Sequence, residues 1–418
     1  NLLNLLDSYS PIFSRWLHKA HQHEYLKEKY IFRIQRLINV IKKYNLKRGL
    51  FLTASSHHLD NYCFELALRI LNLDQIFLYP IFSRLIPFKQ NNGVETRKRL
   101  NLEISNFKFN KLITEISRKN KVWIPHSKFQ KFYNYIKSNF YLSFLYLIVR
   151  KLKRIFIYSI KCFKYNLFVQ KDNIFFKETS SSDFELLINQ KNFLDKYKRE
   201  SVDFNFKNRP KISLLIAAHY QPEATSFPES GRIYSHLFII SHLRNIGISD
   251  EIFYKEHPAS RYFIEGGETK KFITAPSRVG INRNLGYIEE LKRMNCILLP
   301  FNSDILKFKN ILPVTLCGSI AIERSLCGLH TIYTGHPWWE GLPGTINLYN
   351  NPYDLNNIPL ELITPKIDLA LEAKKFFLEN FNYKTINNSF SIGIIEKNNK
   401  VNKEFDNEIK LFINQIGV

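Results

Sequence analysis

Residues 312–333 read LPVTLCGSIAIERSLCGLHTIY, and this stretch decides the fold class. The apolar run Leu312–Leu316 predicts a buried strand. A helix is predicted over Ser319–Leu326, because Gly328 is a typical stop signal, and His330–Tyr333 predicts the next strand. A strand, a helix and a strand in this order form a parallel βαβ unit. The stretch therefore predicts an α/β protein.

The same alternation extends through the second half of the chain. Strands are predicted at Ile212–Ala218, Glu251–Lys255 and Cys296–Leu299, and helices at Arg232–Asn245 and Asn284–Met294. Such a series is typical of a doubly wound parallel sheet with helices on both faces.

The first part of the chain predicts another unit of this kind. A helix over Tyr25–Lys43 precedes a strand at Leu50–Thr53, a helix at Tyr62–Leu71 and a strand at Gln75–Pro80. We therefore predict two Rossmann-like domains with doubly wound parallel sheets. The predicted division is a first domain over 1–110, a basic aromatic helical insertion over 111–209, a second domain over 210–364 and C-terminal helices over 365–418.

Composition narrows the class of protein. The 418 residues are 45% hydrophobic and 23% charged, which excludes a disordered or fibrous chain. No run of about 18 apolar residues occurs, so no membrane-spanning helix is predicted. The net charge of +23 favours anionic partners such as phosphorylated substrates, acidic lipid or nucleic acid. The five cysteines show no paired short spacing, which predicts buried thiols in a reducing cytoplasm rather than disulfides or a zinc site.

Residues 116–171 contain no Asp or Glu and are rich in Lys, Arg, Phe and Tyr. The run Phe140–Val149 is nearly all apolar, and the basic run Arg150–Arg154 follows it directly. One interpretation is a segment in the interface of an anionic membrane, with aromatic rings at headgroup level. The alternative is a core helix followed by a solvated basic helix. Since no nucleic-acid-binding motif accompanies the segment, we expect no nucleic-acid partner.

Three polar clusters follow predicted strands of the second domain. They are HYQPEATS at 219–226, KEHP at 255–258 and TLCGS at 315–319. Ligands of open α/β sheets bind at the carboxyl ends of the strands, so the clusters predict a binding site. Gly318 permits close backbone approach, and Ser319 either caps the following helix or binds a phosphate oxygen.

The order of these motifs resembles that of bacterial capsule and surface-polysaccharide biosynthesis proteins, which include the capsular Kdo transferases. That family shows "hYQPE" and "KEHP" strand ends and a Gly-Thr segment, which correspond to His219–Glu223, Lys255–Pro258 and Cys317–Tyr333. The resemblance covers 212–339, is looser over 50–79, and does not extend to 116–209. The family's Gly-Thr is Gly-Ser in this chain, which keeps the hydroxyl.

The resemblance implies a GT-B fold, in which two Rossmann-like domains face a cleft. The second domain would bind a nucleotide-activated sugar, and the first would bind the acceptor. His257 of the His257-Pro258 motif would contact the nucleotide phosphate, and Lys255 would add positive charge. The structural alternatives are a strand-end histidine that precedes a proline and a solvated lysine.

The third motif would hold the rest of the donor. By the same resemblance, Gly318 and Ser319 would contact phosphate or the base and ribose. Glu323, one turn further, would accept hydrogen bonds from ribose hydroxyls. Its structural alternative is an exposed helix carboxylate. Trp338 and Trp339 would stack on a sugar or base, and their alternative is a place in the core.

Glycosyl transfer needs a group that deprotonates the acceptor hydroxyl or acts as nucleophile. A carboxylate or histidine that faces the cleft suits this role, so Asp60, Glu223 and His57 or His58 are the candidates. The structural alternatives are a helix N-cap for Asp60 and a loop ion-pair partner for Glu223. No DxD or HExxH motif is present, so no metal is expected.

We therefore predict a metal-independent glycosyltransferase of capsule or surface-polysaccharide biosynthesis. It would transfer a hexosyl or Kdo-type sugar from a nucleotide-sugar, with CMP-sugar implied by the resemblance, to a glycan or glycolipid acceptor. It would need no cofactor and would lie in the cytoplasm, peripheral on the inner face of the cytoplasmic membrane. Two alternatives stay open, a sugar-nucleotide epimerase of the same architecture and a non-catalytic membrane-associated assembly scaffold.

Overall fold

The structure is a computed structural model. It describes residues 21–51, 59–81, 84–90, 96–110, 113–114, 134–149, 152, 156, 179–204, 206, 212–220, 229–230, 233, 235–248, 251–265, 275–277, 279–304, 310–350, 355, 359–387 and 399–416.

The first unit is a mixed sheet with helices. Its elements are α1 (His21–Lys43), β1 (Arg48–Phe51), α2 (Leu59–Ile70), β2 (Asp74–Ile81), β3 (Arg84–Gln90) and β4 (Lys98–Arg99). Strands β1 and β2 are parallel, as the sequence predicts. Strand β3 was not predicted, and it runs antiparallel to β2 because only two residues connect them. The first sheet is therefore not purely parallel, which corrects the prediction of two parallel sheets.

The second unit is built on a six-stranded sheet. Its elements are α3 (Thr179–Glu200), β5 (Ser213–Ala217), α4 (His236–Asn245), β6 (Ile252–Lys255), a 3₁₀ helix (Pro258–Arg261), β7 (Ile264–Glu265), β8 (Ala275–Pro276), α5 (Val279–Asn282), α6 (Leu285–Arg293), β9 (Cys296–Leu299), β10 (Ile311–Thr315), α7 (Ile320–Ser325), β11 (Thr331–Tyr333), β12 (Thr345–Asn347) and two further 3₁₀ helices (Leu348–Asn350 and Leu360–Leu362). The strand order is β12-β11-β10-β5-β6-β9, and every neighbouring pair is parallel. The α/β class and the Rossmann-like second sheet are confirmed.

The central strands explain why this sheet is parallel. Every residue of β5, β6 and β10 is buried, because helices cover both faces of the sheet. Helix α6 shows how the flanking helices form. The Asn284 side chain caps it by accepting a hydrogen bond from the Tyr287 backbone N–H at 3.0 Å. Its buried residues Tyr287, Ile288 and Leu291 lie on one face and pack into the main core.

Helix α3 belongs with the second unit, although the sequence analysis assigns its residues to the insertion 111–209. Its side chains Leu187, Phe193 and Tyr197 are fully buried in the same core as the strands β5, β6 and β10. The backbone of α5 approaches α3 closely, since a Cβ atom at Gly280 would lie 2.1 Å from the Leu186 carbonyl oxygen.

The end of the chain returns to the first sheet. Helix α8 (Ile367–Phe381) is followed by β13 (Ile386–Asn387), which pairs antiparallel with β3, and by α9 (Asn399–Gln415). The fully buried Phe412 of α9 packs with residues of β2 and β3. Arg84 and Glu408 form a buried ion pair at 3.0 Å. The last helix therefore braces the first unit.

In the part of the chain that the structure describes, no helix combines the length and the apolar character needed to cross a bilayer.

Candidate functional site

The described residues of the three polar clusters lie side by side at one edge of the second sheet. His219 follows β5 after one residue, Lys255 ends β6, and the Gly318 turn follows β10. These three strands are neighbours in the order β10-β5-β6, and parallel strands end at the same edge. Chain order alone does not give this arrangement, because β9 separates β6 from β10 in the sequence.

The sheet reverses its winding direction between β5 and β10. From β5 the chain builds β6 and β9 on one side, and then crosses over to build β10, β11 and β12 on the other side. The carboxyl edge at such a reversal is the usual ligand crevice of open α/β sheets, because the two connections leave in opposite directions. His219 and Cys317 lie on its two sides.

His219 bridges this crevice. Its Nε2 accepts a hydrogen bond from the Cys317 backbone N–H at 3.3 Å, and its own backbone N–H donates to His236 Nε2 at 2.9 Å. The two imidazole rings are stacked with centroids 5.7 Å apart. Burial, helped by the nearby charges of His257 and Arg283, lowers the pKa of His219 to about 3. The ring is therefore neutral at physiological pH, and Nδ1 carries its proton because Nε2 accepts.

The Gly318 turn is packed against this histidine. The Gly318 N–H donates to Thr315 Oγ1 at 3.2 Å. A Cβ atom at position 318 would lie 2.5 Å from that oxygen and 3.2 Å from Cε1 of His219. Only glycine allows such an approach without a shift of its neighbours.

Ser319 is exposed and occupies the N-cap position of α7, but its side chain makes no capping hydrogen bond. The amides of Cys317 and Gly318 already donate to His219 and Thr315. Two amides of the turn are therefore already engaged within the protein, while the exposed Ser319 hydroxyl is open to a ligand.

A buried carboxylate organises the KEHP cluster. Glu256 is fully buried, and it accepts hydrogen bonds from Tyr254 Oη at 2.8 Å, Ser260 Oγ at 2.9 Å and the His257 backbone N–H at 2.8 Å. It also forms an ion pair with the fully buried Arg283. Burial alone would lower the pKa of Arg283, but the charge of Glu256 outweighs it and raises that pKa above its usual value.

The ion pair joins two of the clusters, because Arg283 also donates to the His219 carbonyl oxygen at 3.4 Å. Neither Glu256 nor Arg283 has a role predicted from the sequence. A carboxylate that follows the apolar run Ile252–Tyr254 after one residue was the available signal, since a buried carboxylate requires a buried cation or several donors.

His257 presents one nitrogen for a ligand. It is half-buried, and its Nδ1 accepts a hydrogen bond from the Ala259 backbone N–H at 3.1 Å as the N-cap of the 3₁₀ helix that Pro258 begins. Nε2 must then carry the proton. Burial, opposed by Glu256 and helped by Lys255 and Arg283, lowers the pKa of His257 to about 4. The ring is thus a neutral donor across the physiological range.

Lys255 links the second and third clusters electrostatically. The residue is buried, and burial lowers the pKa of its ammonium group, while Glu256, Asp304 and Glu323 act in the opposite direction. The half-buried Glu323 on α7 is therefore near enough to interact with the lysine charge.

A buried hydrogen bond joins the first sheet to this edge. Tyr79 Oη of β2 donates to Glu229 Oε2 at 2.6 Å, and both residues are buried. The Glu229 carbonyl oxygen accepts from the His336 N–H at 2.7 Å and from Cys317 Sγ at 3.5 Å. The end of β2 thus contacts the segment after β5, next to the Gly318 turn.

The candidate acid–base residues are not placed by the structure. His57, His58 and Glu223 lie outside the described residues, as does the side chain of Asp60, whose backbone belongs to α2. Their roles stay predictions. Within the described ranges, no group of three or more His, Cys, Asp or Glu side chains could hold a metal ion.

The two tryptophans are core residues. Trp339 is fully buried and packs edge-on against Tyr333, with ring centroids 5.2 Å apart. The half-buried Trp338 packs on Phe377 and Phe381 of α8. A fully buried indole offers no face to a sugar, so the predicted stacking role of Trp339 is corrected to a place in the core, and the contacts of Trp338 indicate the same.

Comparison with known proteins adds little to this geometry. No protein-family model matches the chain, and no curated protein matches it. A solved structure of Thermosulfurimonas dismutans KpsC, a beta Kdo 2,7 transferase, is similar with a TM-score of 0.35 and 13% sequence identity, and the similarity covers 90% of this chain and 89% of that chain. A similarity at this level does not decide function, which we argue from the site.

Proposed function

We propose that this protein is a GT-B-type glycosyltransferase of bacterial surface-polysaccharide assembly. The observation that carries the proposal is the convergence of the described residues of the three motifs at the reversal of the second sheet, where nucleotide ligands of Rossmann-like sheets bind. The donor is a nucleotide-sugar, and the acceptor is a glycan or glycolipid. The protein requires no metal or cofactor.

His257 is the main hydrogen-bond donor to phosphate in the proposed site. Nδ1 accepts the hydrogen bond that orients the ring, which leaves the Nε2–H to donate to a ligand. The pKa of about 4 keeps the ring neutral while it donates. A preorganised neutral donor in a partly buried site stabilises phosphate charge at a small reorganisation cost. Lys255 supplies positive charge from the end of β6, two residues before His257, and the Ser319 hydroxyl supplies a hydrogen-bond donor from the opposite side of the crevice.

Glu256 and Arg283 hold this arrangement together as positioning residues. Glu256 fixes the His257 backbone N–H, and Arg283 ties Glu256 to the carbonyl of His219. Asp60, Glu223 and His57 are the proposed candidates for activating the acceptor. Glu323 is proposed to contact the ribose of the donor.

A donor screen tests the proposal. The purified chain is titrated with CMP-, UDP-, GDP- and TDP-sugars by calorimetry, and nucleotide release is then followed with and without a glycolipid acceptor. We expect one nucleotide class to bind to the wild type and to the control variant His242→Ala, but weakly to His257→Ala. His242 is a suitable control because it lies on α4 and packs on Tyr349, away from the three clusters.

The outcomes separate the alternatives. Sugar transfer that releases nucleotide only with an acceptor supports the proposal. An isomerised sugar formed without an acceptor identifies a sugar-nucleotide epimerase. No binding of any nucleotide-sugar class overturns the proposal and leaves the assembly scaffold.

A further inference from the structure

The helix over residues 140–149 has one face packed on the second unit. Ser143 and Leu147 are buried on this face. Phe140 packs against Phe263 with ring centroids 5.5 Å apart, and Phe144 packs against Phe184 at 5.1 Å. The preceding turn is also anchored, because the Phe263 N–H donates to the Lys137 carbonyl oxygen at 2.8 Å. The helix is therefore held in one orientation.

The opposite face is apolar and open to solvent. Tyr141 is 76% exposed, Leu145 57% and Val149 55%. Two further helical positions, Leu152 at 61% and Phe156 at 66%, are also exposed. Separations of four and eight residues place the side chains of Tyr141, Leu145 and Val149 on one side of the helix, so these three residues form a stripe. The helical and exposed Leu152 and Phe156 are added to it because they follow within seven residues of Val149. We call it the apolar stripe.

A contiguous stripe of this kind requires an explanation. Single exposed apolar residues are normal, but a continuous apolar patch marks an interaction surface because its hydration is unfavourable. Leu142 at 39% and Ile148 at 37% exposure widen the stripe at its edges.

The charges next to the apolar stripe indicate which kind of partner binds it. Arg150, Lys151 and Lys153 are each next to one of its residues in the sequence, Arg154 lies two residues from Leu152 and Phe156, and the whole range 116–171 contains no acidic residue. Each of these cations lies within two residues of Val149, Leu152 or Phe156, so the chain keeps them close to the apolar stripe. A second copy of the chain would bring the same cations together, and their repulsion disfavours self-association. An apolar stripe between basic residues is complementary to an anionic lipid surface.

We propose that the apolar stripe docks this protein onto an anionic membrane surface. The stripe inserts between lipid headgroups, and the adjacent lysines and arginines bind lipid phosphates. The proposal does not depend on the proposed transferase activity. It would also hold the candidate site near the lipid, because the helix is anchored at Phe263, six residues after His257.

Vesicle binding by the full chain tests this docking. Flotation is measured on vesicles of phosphatidylcholine alone and of phosphatidylcholine with about 30% phosphatidylglycerol, which gives the surface a negative potential. We expect the wild type to bind the anionic vesicles and to dissociate as salt is added, because salt screens the attraction. Leu145→Asp should weaken binding at least about tenfold, since it removes an inserting apolar side chain and adds a negative charge.

The matched control is Leu371→Asp on α8, where the leucine is 56% exposed and lies outside the apolar stripe. It should bind vesicles like the wild type. Tyr141→Ser is a second, uncharged variant of the apolar stripe, and its thermal unfolding midpoint should equal that of the wild type because Tyr141 is exposed.

Three results would overturn the proposal. One is no binding of the wild type to anionic vesicles. Another is equal binding of the wild type, Leu145→Asp and Tyr141→Ser. The third is a lipid-free dimer in sedimentation that Leu145→Asp dissociates, which would assign the apolar stripe to a second copy of the chain.

Discussion

His219 Nε2 accepts a hydrogen bond from the Cys317 backbone N–H at 3.3 Å, and this bond crosses the point where the strand order of the second sheet reverses. It joins the segment after β5 to the turn after β10. A substitution on either side should therefore change the geometry of the other, and the Gly318 turn is the place to test this.

Gly318→Ala should lower both stability and donor binding. The added Cβ would lie 2.5 Å from Thr315 Oγ1 and 3.2 Å from the His219 ring, so the turn or the histidine must move. We expect the free energy of unfolding to fall by about 1–3 kcal/mol, as for other overpacked sites. Urea denaturation measures the change.

The control for this substitution is Gly286→Ala. Gly286 lies exposed in α6, and a Cβ there would meet only Asn284 Oδ1, at an ordinary contact distance of 3.4 Å. Alanine is the better helix former by about 1 kcal/mol, so this variant should keep or gain stability. Equal losses in the two variants would contradict a special role of the Gly318 turn.

His257 should act through Nε2 alone. Glutamine places an N–H donor near the position of Nε2, whereas asparagine places one near Nδ1. The affinity for the nucleotide-sugar should fall by about ten- to hundredfold in His257→Ala and His257→Asn, which is the loss expected for one hydrogen bond to a charged group. His257→Gln should retain more of it. Calorimetric titration of the three folded variants decides the matter, and equal affinities would remove His257 from the site.

Removal of one partner of the Glu256–Arg283 pair should lower the free energy of unfolding more than replacement of both partners. Arg283→Met leaves a carboxylate buried without its cation, which should cost about 3–5 kcal/mol of unfolding free energy. The double variant Arg283→Met with Glu256→Gln should recover a large part of that loss. Denaturation of both single variants and the double variant gives the coupling between the two residues, and strict additivity would contradict a direct interaction.

An exposed pair serves as the comparison. Lys191 and Asp195 form an ion pair at 2.6 Å on the surface of α3. Lys191→Met should change the free energy of unfolding little, because water solvates the carboxylate that remains.

The free energy of unfolding should decrease as the pH is lowered below about 6.5, because the folded protein keeps two buried histidines neutral. Burial lowers the pKa of His219 to about 3 and that of His236 well below its ordinary value of 6.5. Above 6.5 both the folded and the unfolded chain hold these rings neutral. Below it the unfolded chain binds protons that the folded protein does not, so the free energy of unfolding decreases by up to about 1.4 kcal/mol per pH unit for each histidine.

The variant His236→Gln isolates one of these histidines. Glutamine does not titrate, and the difference in unfolding free energy between wild type and variant should therefore shrink as the pH falls from about 7 to about 5. Urea denaturation at several pH values measures it. A constant difference would mean that His236 titrates equally in the folded and unfolded states.

The sequence by itself determined the local elements of the second unit. The apolar run Ile212–Ala218 became β5 at Ser213–Ala217, and Asn284–Met294 became α6 at Leu285–Arg293. Both depend on nearby residues, a continuous apolar run for a strand buried on two faces and an asparagine cap for a helix. The positions of the polar clusters, directly after strands, could also be predicted from neighbouring residues.

Other features depended on contacts distant in the chain. Strand β3 escaped prediction because its residues Arg84–Gln90 are buried through pairing with β2 and β13 rather than through a clear apolar run. Helix α8 begins at Ile367, and the backbone N–H of its N-cap residue Lys366 donates to the Gly328 carbonyl oxygen, which is distant in the chain. Nothing in the sequence next to Arg283 indicates that it is buried. Its role follows only from the ion pair that it forms with the buried Glu256.

The tertiary structure alone decided which residues meet. Local patterns specify that β5, β6 and β10 are strands, but their order in the sheet follows from how the helices pack on its two faces. The residues 140–149 are apolar on nearly every side, so their sequence could not say which face is buried. The packing of Phe140 and Leu147 against the second unit decided that and left Tyr141, Leu145 and Val149 in solvent. Apolar burial is proportional to area and has no direction, so a sequence pattern shows which residues are apolar, while only the assembled core shows which of them are covered.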